Sequence, residues 1–67
     1  MNPIEAEIID DECGTLAMWA RNLDSPERFV EVATDSLAQI YQNDEWDEID
    51  LPELGRRLQK FWWGNHK

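Results

Sequence analysis

The sequence has few of the cysteine and histidine residues that disulfides and zinc sites require. Among its 67 residues are one cysteine, Cys13, and one histidine, His66. A single cysteine excludes an intrachain disulfide, and no Cys/His grouping has the spacing of a zinc site, which fits a reducing compartment. No apolar run approaches the ~20 residues that cross a bilayer, and the first residues are acidic where a signal peptide would be basic. We therefore expect a soluble, cytoplasmic protein.

Basic residues are also scarce, and they are unevenly placed. The formal net charge is −9, from 15 acidic and six basic residues. Residues 1–53 hold all 15 acids against two arginines, a net charge of −13, whereas residues 54–67 hold four basic residues and no acid. A field of that sign repels nucleic acid and anionic lipid and attracts basic surfaces. We expect neither direct nucleic-acid binding nor a membrane partner.

The length predicts one small domain over residues 1–67. A chain of this size lies near the lower limit at which one apolar core offsets the conformational entropy lost on folding. The hydrophobic content of 42% and four tryptophans nevertheless indicate a folded rather than a disordered chain. A homo-oligomer, in the simplest case a dimer, would bury further surface.

The first segment predicts a helix from about residue 3 to residue 22. Asn2 can cap it, Pro3 suits the first helical position, and Glu5 can complete a capping box. Gly14 marks a possible break in this helix, because glycine costs ~1 kcal/mol in a helix interior. Apolar residues recur at three- and four-residue spacing; they are Ala6, Ile9, Cys13, Leu16, Ala17, Ala20 and Leu23.

A short N-terminal strand is the alternative to the first helical turns. Ile4, Ala6 and Ile8 alternate with acidic residues, and a period of two is typical of a strand with one face buried. The longer three- and four-residue pattern favours the helix.

Two further helices are predicted at about residues 26–42 and 51–63. Ser25 followed by Pro26 forms a helix start, and so does Asp50 with an acid three residues later. Gly64 is expected to end the last helix. Their apolar faces are Phe29, Val30, Ala33, Leu37, Ile40 and Tyr41, and then Leu51, Leu54, Leu58, Phe61 and Trp62. The predicted fold is all-α, a small three-helix bundle.

Catalytic and metal-binding chemistry find little support in the sequence. His66 falls in an expected exposed tail, and Cys13 lies on the apolar stripe, where it is expected to be a small core residue. The acidic loop around residues 44–50 lacks the central glycine and the twelfth-position glutamate of an EF-hand. We therefore expect no metal, no cofactor and no enzymatic activity.

The acidic residues predict a protein-binding surface. Carboxylates surround Trp46 in the sequence NDEWDEID, and others recur every four residues on the second helix, opposite its apolar face. Acids steer a basic partner, and tryptophan supplies buried area at an interface. Two alternatives remain: a solvated acidic face, and a Trp46 that covers the core. The predicted partner-binding residues are Glu27, Glu31, Asp35, Asp44, Glu45, Trp46, Asp47 and Glu48.

The last helix predicts a second contact surface. Helical rotation places Trp63 away from its apolar face, on the side of the basic residues. A large exposed aromatic side chain calls for a cover, and a second copy of the chain could provide it. The residues predicted for self-association or a second interface are Arg56, Lys60 and Trp63.

A small, acidic, helical chain with aromatic patches and no catalytic apparatus resembles many bacteriophage and mobile-element proteins that block a host protein. The likeness is one of composition and covers no motif. It implies an inhibitor that mimics nucleic acid and binds a basic, nucleic-acid-binding host protein, with anti-CRISPR or anti-restriction activity as examples. The alternative hypothesis is an antitoxin-like or adaptor subunit that packs permanently on a partner through its C-terminal aromatic helix.

Overall fold

The fold is helical throughout the part of the chain that the structure describes. The computed structural model describes residues 4–42 and 44–66, except for the side chains of Asp44 and Glu45. Four helices and a single helical turn follow one another, and no strand occurs among these residues. They are α1 (Ile4–Asp11), α2 (Cys13–Asn22), α3 (Pro26–Ile40), the turn α4 (Asp44–Asp47) and α5 (Leu51–Asn65). The all-α class is confirmed.

The N-terminal region forms two helices where the sequence predicts one. The chain leaves helical geometry at Glu12, with φ −108° and ψ 19°. The two residues before it are aspartates, which have low helix propensity. The Tyr41 hydroxyl donates a 3.2 Å hydrogen bond to the Glu12 carboxylate, which ties this junction to the end of α3. The predicted count of three helices is therefore wrong.

The other expectations for this region have mixed outcomes. Gly14 lies inside the first turn of α2, so the break precedes the predicted position by two residues. The alternative of a strand is wrong, because residues from Ile4 onward are helical. The predicted cap at Asn2 and the predicted start at Pro3 lie outside the described residues.

Side-chain caps start α3 and α5 where the sequence predicts them. The Ser25 hydroxyl accepts a 3.3 Å hydrogen bond from the Arg28 N–H, and the Asp50 carboxylate accepts one of the same length from the Glu53 N–H. Each satisfies a backbone donor that the first helical turn leaves unpaired. The predicted stop at Gly64 is wrong, because α5 continues through it with ordinary negative φ.

The core is built around α5, which contacts α1, α2 and α3. Its most extensive interface is with α3, where the rings of Phe29 and Phe61 lie nearly parallel with centroids 6.1 Å apart. Burial of apolar side chains is the main stabilising contribution in such a small bundle. The buried apolar residues are Ile8, Ile9, Leu16, Ala20, Phe29, Ala33, Leu37, Leu54, Leu58 and Trp62.

Three residues predicted for the core are exposed, and each stands at the end of a helix. Cys13 is the first residue of α2, Ile40 the last of α3 and Leu51 the first of α5. Ile40 and Leu51 are each about half exposed, and Cys13 is exposed and free. Helical spacing predicts which side of a helix is apolar, but it does not predict where along the helix the contacts with other helices end. It therefore assigns residues at the helix ends to the core although they lie beyond those contacts. Ile8, which the helical stripe omits, is buried.

Two polar side chains join the ends of α5 to other elements. Glu5 is 6% exposed, and its carboxylate accepts a 3.0 Å hydrogen bond from the Asp50 N–H just before α5. Trp62, near the other end, donates its indole N–H to the Leu23 carbonyl at 3.0 Å. Each bond gives a polar group in the packed region a partner, as burial requires.

Replacing Leu58 with alanine is expected to destabilise the fold severely. The Leu58 side chain is fully buried, and Leu→Ala changes at such sites cost about 2–5 kcal/mol. A domain this small has little stability to lose. Chemical denaturation followed by circular dichroism measures the loss. Leu51→Ala, at the exposed start of the same helix, is the matched control and is expected to change the free energy of unfolding much less; equal losses would contradict the assigned core.

Candidate functional site

The outer face of α3 carries a regular row of carboxylates. Glu27, Glu31 and Asp35, which we call the acidic row, are all exposed, whereas the residues that α3 buries are Phe29, Ala33 and Leu37. Four-residue spacing places successive acids on one side of a helix. The row therefore lies on the solvent side of the helix that packs most extensively on α5.

The three carboxylates of the acidic row differ in their local partners. The Ser25 hydroxyl donates a 2.8 Å hydrogen bond to Glu27, which lowers the pKa of Glu27 below its ordinary value. Among the described residues, Glu31 and Asp35 form neither an ion pair nor a hydrogen bond through their side chains. Arg28, exposed on the same helix, forms no ion pair with them. Two of the three carboxylates are thus open to a partner.

Trp46 of the acidic loop follows the alternative prediction, in which it covers the core. Trp46 lies in the turn α4, is half-buried and packs against the core, so its indole is only partly available to a partner. Asp47 and Glu48 are exposed. The side chains of Asp44 and Glu45 lie outside the described part. The acidic row ends at Asp35, more than one helical turn before α3 ends.

The basic residues of α5 are partly neutralised within the helix. Glu53 forms ion pairs with Arg56 and, at 3.0 Å, with Arg57. The contact with Arg56 lowers the pKa of Glu53 and raises that of Arg56. Lys60 is exposed and forms no ion pair with any described residue. The predicted second interface therefore offers less free positive charge than the sequence indicates.

The C-terminal end of α5 carries an aromatic cluster that includes the only histidine. Trp63 is 63% exposed, as helical rotation predicts, and meets the buried ring of Trp62 edge to face at 5.0 Å. The prediction of an exposed tail at His66 is wrong. Its ring is half-buried, stacks on Trp62 with centroids 3.9 Å apart and lies 3.1 Å from the Trp62 carbonyl. The four-residue spacing between Trp62 and His66 is the signal that sequence reasoning missed.

A groove between α2 and α3 was not predicted. It has a volume of about 370 Å³ and is lined by Trp19 of α2 and by four residues that share one side of α3: Val32, Asp35, Ser36 and Gln39. Trp19 is half-buried and packs against the core. Asp35 therefore belongs both to the acidic row and to this groove, which we call the Trp19 groove. In the sequence, Trp19 lies beside the apolar stripe of α2 rather than on it. This position was the signal that could have indicated the groove.

The described residues contain no arrangement that indicates metal binding. No group of three or more His, Cys, Asp or Glu side chains among them lies close enough to hold a metal ion. Cys13 is exposed, and its thiol forms no hydrogen bond with a described residue. None of the described helices is both long and apolar enough to cross a bilayer.

Comparisons with protein-family models, with curated proteins and with solved structures found no match to the chain. Function is therefore inferred from the chemistry of the surfaces described above. The acidic row and the adjoining Trp19 groove are the candidate site, and Trp63 with its neighbours is a second candidate surface.

Replacing Ser25 with alanine is expected to raise the pKa of Glu27 towards its ordinary value of 4.5, because the hydroxyl that stabilises its carboxylate is lost. The low folded-state pKa of Glu27 stabilises the fold above the unfolded pKa, and this contribution disappears as pH falls through the folded pKa. The lost helix cap lowers stability by a further ~1 kcal/mol. Side-chain NMR titration measures the shift. The pKa of Glu53, which Arg56 holds low, is the internal control and should stay unchanged; an unaltered Glu27 pKa would contradict the assignment.

Proposed function

We propose that the protein is a small inhibitor that binds a basic, nucleic-acid-binding host protein and occupies its nucleic-acid site. Anti-CRISPR and anti-restriction activities of phages and mobile elements are examples of this class. The observation that carries the proposal is the pair of exposed, unpaired carboxylates at Glu31 and Asp35, presented at fixed spacing on a well-packed helix. A positively charged groove that binds phosphates is the chemistry that fits such a row.

The spacing of the acids and the net charge favour electrostatic steering and positioning of a partner over close imitation of a nucleic acid. Successive acids in the row are about 6 Å apart along the helix axis, whereas a DNA strand carries one phosphate per ~3.4 Å. The acidic row is therefore a sparse counterpart of one strand. The net charge of −9 adds a long-range attraction to basic surfaces that accelerates encounter and weakens with salt. Affinity would need further contacts beside the carboxylates.

Charge reversal in the acidic row tests this proposal. The variant Glu31→Lys with Asp35→Lys is expected to lose capture of a basic nucleic-acid-binding protein from host lysate, whereas the unmodified chain captures it at low salt and releases it at high salt. Added duplex DNA should also displace the captured protein, because both would occupy one site. Affinity capture followed by mass spectrometry measures each outcome.

The matched control is Glu7→Lys with Asp11→Lys. These two acids are also exposed and four residues apart, but they lie on α1. The control changes the net charge by the same amount, so it should retain capture at low salt if position matters. Equal loss in both variants would show a general charge effect, and full capture by the row variant would overturn the proposal. Circular dichroism verifies that both variants remain helical.

Trp63 favours a second candidate function, an antitoxin-like or adaptor subunit that is packed permanently on a partner. A side chain of this size that is 63% exposed, beside the ring of His66 at 5.7 Å, offers a large apolar contact. A second copy of the chain is one possible cover. In that arrangement Lys60, the exposed cation of α5 without an ion pair among the described residues, would meet an acidic surface of the other copy.

Under this second function, Trp63→Ala is expected to abolish a complex that is insensitive to salt, because burial of apolar area rather than charge would hold it together. Light scattering gives the mass of the free chain, and affinity capture at high salt reports a partner. Met18→Ala removes another exposed apolar side chain, which is half exposed on α2, and serves as the control. A Trp63→Ala chain with unchanged mass and unchanged capture would exclude this surface.

A further inference from the structure

The Trp19 groove combines an aromatic ring with an unpaired carboxylate, a combination that a solvated acidic face does not require. Its α2 side is the half-buried indole of Trp19, which packs against the core and is thereby held in place. Its α3 side combines the apolar Val32 with the polar side chains of Ser36 and Gln39. Asp35 is the charged residue of the lining, and its carboxylate forms no ion pair or hydrogen bond with any described residue.

We propose that the Trp19 groove receives an arginine side chain of the partner, with its guanidinium against the Trp19 indole and hydrogen-bonded to the Asp35 carboxylate. This inference rests on the proposed inhibitor function and specifies the chemistry of its contact. Asp35 supplies the opposite charge, and the indole face attracts a cation independently of that charge. Val32 provides an apolar wall for the methylene groups of the arginine.

The residues that line the groove favour an arginine side chain over other ligands. A phosphate or an acidic side chain would be repelled by Asp35, whose charge no described residue neutralises. A purely apolar guest would leave Asp35, Ser36 and Gln39 without partners at the contact. Lysine offers one compact ammonium, whereas arginine offers a flat group that stacks on an indole while its five N–H donors reach several acceptors. The volume of about 370 Å³ is large enough to admit an arginine side chain.

The grooves beside α5 are weaker candidates. One is lined by Glu53, Arg56, Arg57 and Lys60, and there Glu53 already forms ion pairs with two of the cations. Another lies between α1 and α5, where Asp10 faces the same space as Arg57 and Lys60. Both therefore mix charges of opposite sign. In the Trp19 groove an unpaired charge of one sign lies beside an aromatic ring.

NMR titration with N-acetylargininamide tests the groove directly. The indole N–H signal of Trp19 is expected to shift and to saturate, whereas the neutral citrulline analogue, which has nearly the same shape, should leave it unchanged. Trp63 is the internal control, because it is the more exposed indole but has no place in the groove. Equal shifts at Trp19 and Trp63, or equal shifts with both compounds, would overturn the proposal.

Two matched variants separate the groove from the general acidity of α3. Asp35→Asn is expected to weaken arginine binding about fivefold, the change expected for loss of one exposed ion pair of about 1 kcal/mol. Glu31→Gln removes another exposed and unpaired charge one turn away, outside the groove lining, and should weaken binding less than Asp35→Asn. Equal effects of the two variants would show that only the net charge matters.

The outcomes also separate this inference from the inhibitor function. If Trp19→Leu stays folded and still captures the basic partner with unchanged affinity, the groove is not the contact, and the inhibitor function survives. If N-acetylargininamide saturates Trp19 but no nucleic-acid-binding protein depends on the acidic row for capture, the groove stands and the inhibitor function falls. Should Trp19→Leu unfold the chain, Gln39→Lys provides the same comparison, because Gln39 is exposed, lines the groove and lies outside the acidic row.

Discussion

Burial of one apolar stripe on α5 is the constraint on which the rest of the structure depends. Leu54, Leu58 and Trp62 are buried, and α5 contacts α1, α2 and α3. A chain of 67 residues forms a single small core, so no other interaction can replace this one. Helices α1, α2 and α3 pack against α5, and their outer faces take no part in the core. The acidic row on α3 is such a face.

The polar contacts of α5 explain why the acids of this protein are not interchangeable. Glu5 is buried and satisfies the N–H of Asp50, whereas Glu53 is engaged with two arginines of its own helix. Loss of a buried acceptor leaves a donor without a partner, which costs about 1–3 kcal/mol. An exposed carboxylate without a partner carries no such cost. Glu31 and Asp35 are exposed carboxylates without a side-chain partner among the described residues, so the stability of the fold does not account for their presence.

Features that depend on neighbours in the sequence were predicted well, and features that depend on neighbours in space were not. The caps at Ser25 and Asp50 and the buried face of α3 follow from spacing over a few residues. The break at Glu12 involves Tyr41, 29 positions away, and Glu5 accepts a hydrogen bond from the Asp50 N–H, 45 positions away. The acidic row followed from periodicity, whereas the Trp19 groove exists only because α2 and α3 pack side by side.

The position of Asp35 bears on whether the acidity serves recognition or only solubility. Like charges four residues apart oppose helix formation by ~0.2–0.5 kcal/mol per pair, and solubility requires net charge but no particular arrangement of it. Solubility alone would not place an unpaired carboxylate beside a half-buried indole that the core holds in place. A cationic side chain makes use of both groups at once, through charge and through the ring. The juxtaposition of Asp35 and Trp19, more than the number of acids, therefore favours a recognition surface.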